Sequence, residues 1–535
     1  MNKFWIGPPG TGKTYTLIQQ VKRCIAEGIH PKDIAYISFT KIAANEAKGR
    51  ALETFPEFTN VPNAFENFRT LHSLALAECP IIRDNIMESN EYSELGRKIP
   101  FSISVKMNHW EDPFDKEGKL LNTKNPYLFL VNKAVCCKQT IEEAFNNQRD
   151  SRLRKNIAYL MDEHLRQFKK EKGLYDYNDF LLEFAQKETV PSFKVLIIDE
   201  AQDLSLIQWD CIERLIENAG EVHIAGDDDQ AIYKWAGASI EKFRSFNTRE
   251  DFETEILTQS FRVPKKMHAL AERIITKDDE RIPKTYLPVD KEGTISRAVT
   301  LGSIMPAVAA HMEEHRSKTL LVLAATNNTL KEAISEFKKA GIKYDSRTSK
   351  PMNVEKIDAI DDWARLRVGH SLTGDRIKNI YGYLKTNVKH GFKSGKKAPE
   401  DLQSYTLKEC MEKYGLLTDA PWDESFLKLP DEEVQYIKNV LDSGRKLTDP
   451  SQVRISTISS IKGAEANIVI LYRDISWGEK MYGGNESHRK FYVAVTRATD
   501  QLILLDPRKY ELAYALPFND LLARETLKKA AKKKS

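Results

Sequence analysis

Eight residues near the start of the chain, Gly7-Pro8-Pro9-Gly10-Thr11-Gly12-Lys13-Thr14, match G-x-x-x-x-G-K-[ST] at every fixed position. Glycines at this spacing let main-chain N–H groups surround phosphate oxygens, and a helix starting near Gly12 adds the positive end of its dipole. Lys13 is spaced to reach the β- and γ-phosphates of a nucleotide, and Thr14 to hold Mg²⁺. Much later, the apolar run 195–198 ends in Asp199 and Glu200. Two acids at the carboxyl end of a buried strand can divide the work, Asp199 on a metal and Glu200 orienting and deprotonating water. Alone, such a pair also reads as the cap of a following helix. Beside a phosphate loop, it selects nucleotide hydrolysis over storage.

These residues need elements to position them. "KFWIG" is a short apolar strand, and "KTYTLIQQVKRCIAEG" sets Leu17, Ile18, Val21 and Ile25 on one helical face before stopping at Gly28. "DIAYISF" is a second buried strand, followed by a helix through "AANEAKGRALETF". From about 80 to 190 the pattern changes to longer polar helices. Strand character returns at "FKVLIIDEAQD", then a helix over 206–216, then "EVHIAGDDDQ". A second unit follows with "GTISRAV", a helix, "TLLVLAAT", a helix over 328–340 and "GIKY"; "VRISTISSIKGAEANIVILY" and "FYVAVTRATDQLILLD" complete it. The expected architecture is α/β, with two P-loop-type cores of parallel sheet flanked by helices, each carrying a mainly helical inserted subdomain. The divisions are 1–80 with 176–260 (first core), 81–175 (insertion), 261–344 with 451–510 (second core), 345–450 (insertion) and 511–535 (C-terminal helix and basic tail).

At 535 residues the chain exceeds one core, and 41% hydrophobic with 30% charged residues is an ordinary globular composition. A net charge of +4 does not by itself announce nucleic acid, although "LKKAAKKKS" and "HGFKSGKKAPEDL" concentrate lysine locally. Six cysteines without C-x-x-C spacing point away from zinc and iron–sulfur sites; adjacent Cys136 and Cys137 read as buried thiols in a reducing compartment. A strand at the very N-terminus argues against a signal peptide, and no apolar run approaches membrane-spanning length. A cytoplasmic protein without a membrane partner is expected, nucleoid-associated if bacterial or in the host cytoplasm if viral.

"DEAQD" followed by "AGDDDQAIYKWAGA" resembles the UvrD/Rep family of superfamily 1 DNA helicases. The likeness continues in family order through "ISFTKIAANEAK", "FRTLHSL", "LYDYNDFLL", "LTQSFRVP", "ISTISSIKGAEA" and "FYVAVTRA". The resemblance implies two RecA-like cores that hydrolyse Mg-ATP between them and step along single-stranded DNA, 3′→5′, unwinding duplex at single/double-strand junctions. An alternative is a nucleotide-gated translocase, clamp or remodeller without processive unwinding.

By the same resemblance, Gln230 senses the γ-phosphate, Arg262 and Arg497 are the cations that complete the site, Phe261 stacks on adenine, and Glu465 lies near the ribose or caps a helix. Tyr15 stands where the family commonly has arginine, and packs on the base or on protein. Phe39, Thr40, Thr70, His72, Tyr233, Trp235 and Lys462 match DNA-contact positions. For Phe39 core packing is the other reading, and for His72 an ordinary buried histidine. "AGA" after Trp235 is small enough to admit a strand. Two departures carry implications. No glutamine stands in the six residues before Gly7, where the family reads adenine, which implies a wider choice of nucleotide. Ser459 replaces a histidine that couples DNA to ATP in relatives, which implies altered coupling.

Overall fold

The computed structural model describes residues 2–99, 125–148, 150, 153–346, 352–461 and 463–522. Its first six-stranded sheet contains β1 (Asn2–Ile6), β2 (Ile34–Ser38), β3 (Phe68–Thr70), β4 (Val195–Asp199), β5 (Glu221–Gly226) and β6 (Phe252–Ile256), in the order β3-β2-β4-β5-β1-β6. All of its pairings are parallel. Every residue of β2 and β4 is buried, as a parallel strand covered by helices on both faces requires. β6 was not evident as a strand in the sequence. Its "FETEI" alternates because it is an edge, with only one face covered.

β7 (Gln259–Pro264) and β8 (Leu287–Val289) pair with each other outside both large sheets. A second six-stranded sheet takes β9 (Thr294–Ala298), β10 (Leu320–Ala324) and β11 (Tyr344–Ser346). After the small antiparallel pair β12 (Leu372–Thr373) and β13 (Ser404–Tyr405) come β14 (Val453–Thr457), β15 (Ala466–Tyr472) and β16 (Ala498–Leu505). The order is β11-β14-β10-β15-β16-β9, again parallel throughout.

Between β3 and β4 the chain makes helices including Pro126–Cys136, Ile141–Asn147, Lys155–Lys172 and Tyr177–Gln186; between β11 and β14 it makes Val354–Arg367, Gly374–Tyr383, Leu407–Lys413 and Asp431–Asp442. Helix Lys265–Ile275 packs on helix Gly484–Val495. One apolar cluster runs continuously from Ile198 and Ile232 on the first sheet's side to Tyr492 and Leu504 on the second's. The two units therefore share packed surface instead of merely facing each other.

Of the helix expected at 511–535, the described part, 511–522, is extended chain with short 3-10 turns. The basic tail lies outside the described residues, as does Lys462. Among the described residues no helix is long and apolar enough to cross a membrane.

Candidate nucleotide and nucleic-acid sites

The phosphate loop leaves β1 at its carboxyl end and enters helix Lys13–Ala26, which buries Leu17, Ile18, Val21 and Cys24 against the sheet. Gly10 and Gly12 take φ of +76° and +83°, the left-handed region that glycine enters without strain. Gly7 N donates to Gly226 O at 2.9 Å, tying the loop to the end of β5, and Lys13 Nζ donates back to Gly7 O at 2.7 Å. Thr11 Oγ1 closes the turn on Pro8 O at 2.8 Å. Tyr15 is 64% exposed at the start of this helix.

Thr14 Oγ1 lies 3.3 Å from Asp199 Oδ2, and the same carboxylate oxygen accepts the Tyr36 hydroxyl at 2.7 Å. Burial and neighbouring Glu200 push the Asp199 carboxyl up to about 6. A cation bound there would reverse that shift, so the Thr14–Asp199 pair suits a hard divalent ion. Glu200 sits at φ +56°, ψ +38°, a left-handed conformation that is uncommon for a residue with a side chain and clusters at functional sites. Gln202 Nε2 donates to Glu200 Oε2 at 2.6 Å, while Gln202 Oε1 accepts Asp227 N at 3.0 Å.

Residues of β7 close the pocket from the other side. Phe261 N donates to Gly10 O at 2.9 Å, and Ser260 Oγ and Tyr286 OH both donate to Pro9 O, at 3.0 and 2.9 Å. A Cβ on Gly10 would fall 2.6 Å from Arg262 Cβ, so this glycine also permits the close approach. Arg262 Nη1 pairs with Glu465 Oε2 at 3.2 Å, and its Nε is buried without a hydrogen-bond partner. Such an orphaned donor beside a phosphate loop fits an anionic ligand oxygen. Arg497 is 1% exposed and bonds Val493 O at 3.0 Å and Gln230 Oε1 at 3.0 Å. Burial and nearby Arg262 push its guanidinium down to about 9, still a cation at neutral pH. Two cations held together in a buried cleft are matched by a polyphosphate. Phe261 is 75% exposed, available for stacking, and Glu465 is occupied by Arg262 instead of capping a helix.

The aromatic positions are brought into successive ring contacts. Phe39, 8% exposed, stacks on Tyr233 with centroids 5.7 Å apart, and Tyr233 OH donates to Ser459 O at 2.6 Å. Ser459 thus meets this track through its carbonyl, a contact that its side chain does not control. Trp235 stacks on Phe129 of helix Pro126–Cys136 at 6.0 Å and 17°. The small "AGA" after it, expected to admit a strand, is approached by the inserted helix: a Cβ on Gly237 would lie 2.9 Å from Cys136 Cβ. Cys136 is buried and Cys137 only half-buried.

Thr40 and Thr70 cap the helices that follow them, accepting Ala43 N and Ser73 N at 3.2 Å. His72 is buried, pushed down to about 3 by desolvation and therefore neutral, with its edge on Tyr177. Lys41, Arg69 and Arg83 line a cavity of about 420 Å³ beside it, floored by Tyr177 and Phe180.

Tyr36, Gln202, Ser260, Lys284 and Tyr286 were not singled out from sequence. Gln202 and Ser260 stand inside family-like motifs, "DEAQD" and "LTQSFRVP". Tyr36 orients a candidate metal ligand, and outer-shell partners of this kind control affinity by about 10–100-fold. Tyr36→Phe is expected to weaken Mg²⁺ binding at this site about tenfold while the ring keeps its stack on Phe68. A magnesium titration checks this, and an unchanged midpoint would count against the role.

The UvrD/REP helicase N-terminal domain model matches residues 4–251 and the UvrD-like helicase C-terminal domain model matches residues 452–505, together more than half of the chain. Similar curated proteins include DNA helicase II of Haemophilus influenzae, 27% identical over 55% of this chain and 41% of that protein. The ATP-dependent DNA helicase PcrA of Bacillus subtilis is 27% identical over 53% and 39%, and the ATP-dependent DNA helicase Rep of Buchnera aphidicola 24% over 58% and 45%. The matched region thus spans less than half the length of each of these three relatives. With both family models matching in order, around a phosphate loop and two parallel sheets, the chain belongs to the UvrD/Rep helicase family.

Proposed function

We propose that this chain is an ATP-dependent DNA helicase that translocates 3′→5′ on single-stranded DNA and unwinds duplex at single/double-strand junctions. The observation that carries it is the 3.0 Å bond from Arg497 to Gln230, which brings an arginine preceding β16 of the second sheet onto the glutamine following β5 of the first. A cleft built from both units makes hydrolysis depend on their relative position, as a motor requires. The units proposed are 1–80 with 176–260 and 261–344 with 451–510, with helical insertions at 81–175 and 345–450.

In this reading the main-chain N–H groups of Gly10 and Gly12 face the phosphates, with Lys13 on the β- and γ-oxygens, while Gly7, Pro8 and Thr11 fix the turn of the loop. Thr14 and Asp199 hold Mg²⁺, which supplies charge neutralisation on the phosphate oxygens. Glu200 orients the attacking water and accepts its proton. Gln230, Arg262 and Arg497 stabilise charge at the γ-phosphoryl, Phe261 and Tyr15 flank the base, and Glu465 releases Arg262 when the phosphate arrives. Trp235 offers a stacking face worth about 1–3 kcal/mol per base, indifferent to sequence, and buried Phe39 and Tyr233 pack behind it. Thr40, Thr70 and Lys462 meet the backbone, and His72, being neutral, serves by shape and hydrogen bonding. The Tyr233–Ser459 bond joins this track to the second unit.

The test is strand displacement on 3′-tailed and 5′-tailed duplexes, with ATP and GTP side by side. Unwinding from 3′ tails is expected. Unwinding only from 5′ tails would refute the polarity. DNA-stimulated turnover without any strand separation would favour a translocating clamp.

A further inference from the structure

The run Asp227-Asp228-Asp229 is fully buried, and its carboxylates lie close enough together to suggest a metal site. They converge on an amine instead. Lys284 Nζ lies 3.0 Å from Asp227 Oδ1, 3.2 Å from Asp229 Oδ2 and in hydrogen-bond contact with Asp228, and its side chain is completely buried. Arg281 grips Asp229 with two nitrogens at 2.5 and 3.0 Å, and Arg244 Nε reaches Asp228 at 3.2 Å. Three cations from two separate stretches of chain therefore answer three anions.

Asp227 connects this cluster to the cleft. Its Oδ1 accepts Lys284, its Oδ2 accepts Gln230 Nε2 at 2.7 Å, and its backbone N donates to Gln202, which donates to Glu200. A glutamine amide has a donor end and an acceptor end. Fixing the donor end on Asp227 turns Oε1 toward Arg497, where it accepts the 3.0 Å bond. Two residues after Lys284, Tyr286 donates to Pro9 O of the phosphate loop, so one short segment touches both halves of the nucleotide pocket.

We propose that Lys284 is a positioning residue: clamped among the three aspartates, it holds the Asp227 carboxylate so that Gln230 presents its amide in the single orientation that meets Arg497 and the γ-phosphate. Without the ammonium, Asp227 would be a buried anion beside two others, and it would rotate or take up a proton, releasing Gln230. This rests on the ATPase reading above.

The test uses the full chain, with ATP hydrolysis measured at saturating oligo-dT. Lys284→Met is expected to lower kcat about 10–100-fold, the range for outer-shell partners, with the KM for ATP changed less than about threefold. The double-mutant cycle separates positioning from a merely structural role. If Lys284 acts through Gln230, adding Lys284→Met to Gln230→Ala costs no further kcat. Additive losses, or full-rate hydrolysis by Lys284→Met, would overturn the proposal. Should that variant not fold, Lys284→Arg keeps the charge but not the geometry. It is expected to keep the unaltered chain's thermal midpoint and still lose kcat in the same non-additive way, and full activity would overturn the proposal. Absence of DNA-stimulated hydrolysis in the unaltered chain would instead sink the ATPase reading, and this proposal with it.

Discussion

Arg497→Ala is expected to lower DNA-stimulated ATP hydrolysis by about 10³-fold or more, within the range that arginine fingers contribute to phosphoryl transfer. The guanidinium is buried, shares the cleft with Arg262 and is held by Val493 O, Ala464 O and Gln230. It therefore sits ordered before a nucleotide arrives and needs little rearrangement to meet charge developing on the γ-phosphoryl. Arg497→Lys is the informative companion, because it keeps a charge but loses the fork that spans Ala464 O and Gln230 together. The lysine variant is expected to fold and to recover only a small part of the rate. Steady-state hydrolysis with saturating single-stranded DNA measures kcat, and nucleotide binding measured separately is expected to change much less. Turnover within tenfold of the unaltered chain in the alanine variant would remove Arg497 from the catalytic set.

Glu200→Gln is the second large effect, with an expected loss of about 10²–10⁴-fold, the usual contribution of a positioned general base. The substitution is nearly isosteric. A side-chain amide oxygen can still accept Gln202 Nε2, as Glu200 Oε2 does at 2.6 Å, and the left-handed backbone is no worse for glutamine than for glutamate. The fold is thus expected to survive, with ATP and DNA binding retained and hydrolysis lost. Single-turnover hydrolysis beside a nucleotide-binding titration separates these quantities. Full hydrolysis would show that another group accepts the proton. Asp199 is the neighbouring carboxylate, but its Oδ2 is already engaged by Tyr36 and Thr14.

The phosphate loop, its helix and the acids after β4 were legible because each is a local pattern. A strand, a tight turn needing glycine and a helix follow one another between Asn2 and Ala26, and the acids directly follow the apolar run of β4. The same holds for the buried strands β2 and β4, whose unbroken apolar runs reflect cover on both faces. Edge strand β6 was not legible, since half-exposed alternation over five residues is shared with loops. The candidate DNA-contact positions were identifiable only as matches to a family, and the structure adds what surrounds them. Trp235 faces Phe129 of an inserted helix, and His72 is neutral and buried.

By itself, the amino-acid sequence marked a candidate nucleoside triphosphate site, the lysine, hydroxyl and acids proposed to serve it, and α/β segments alternating with helical ones. Only tertiary structure decided how those units meet. Tyr36 reaches Asp199 across 163 residues, Arg497 reaches Gln230 across 267, and Lys284 finds the three aspartates more than fifty residues before it. Contacts at such separations leave no periodicity in the chain. They arise because parallel sheets place the carboxyl ends of strands distant in sequence side by side, and because a buried charge must be met by whatever partner the packing brings to it.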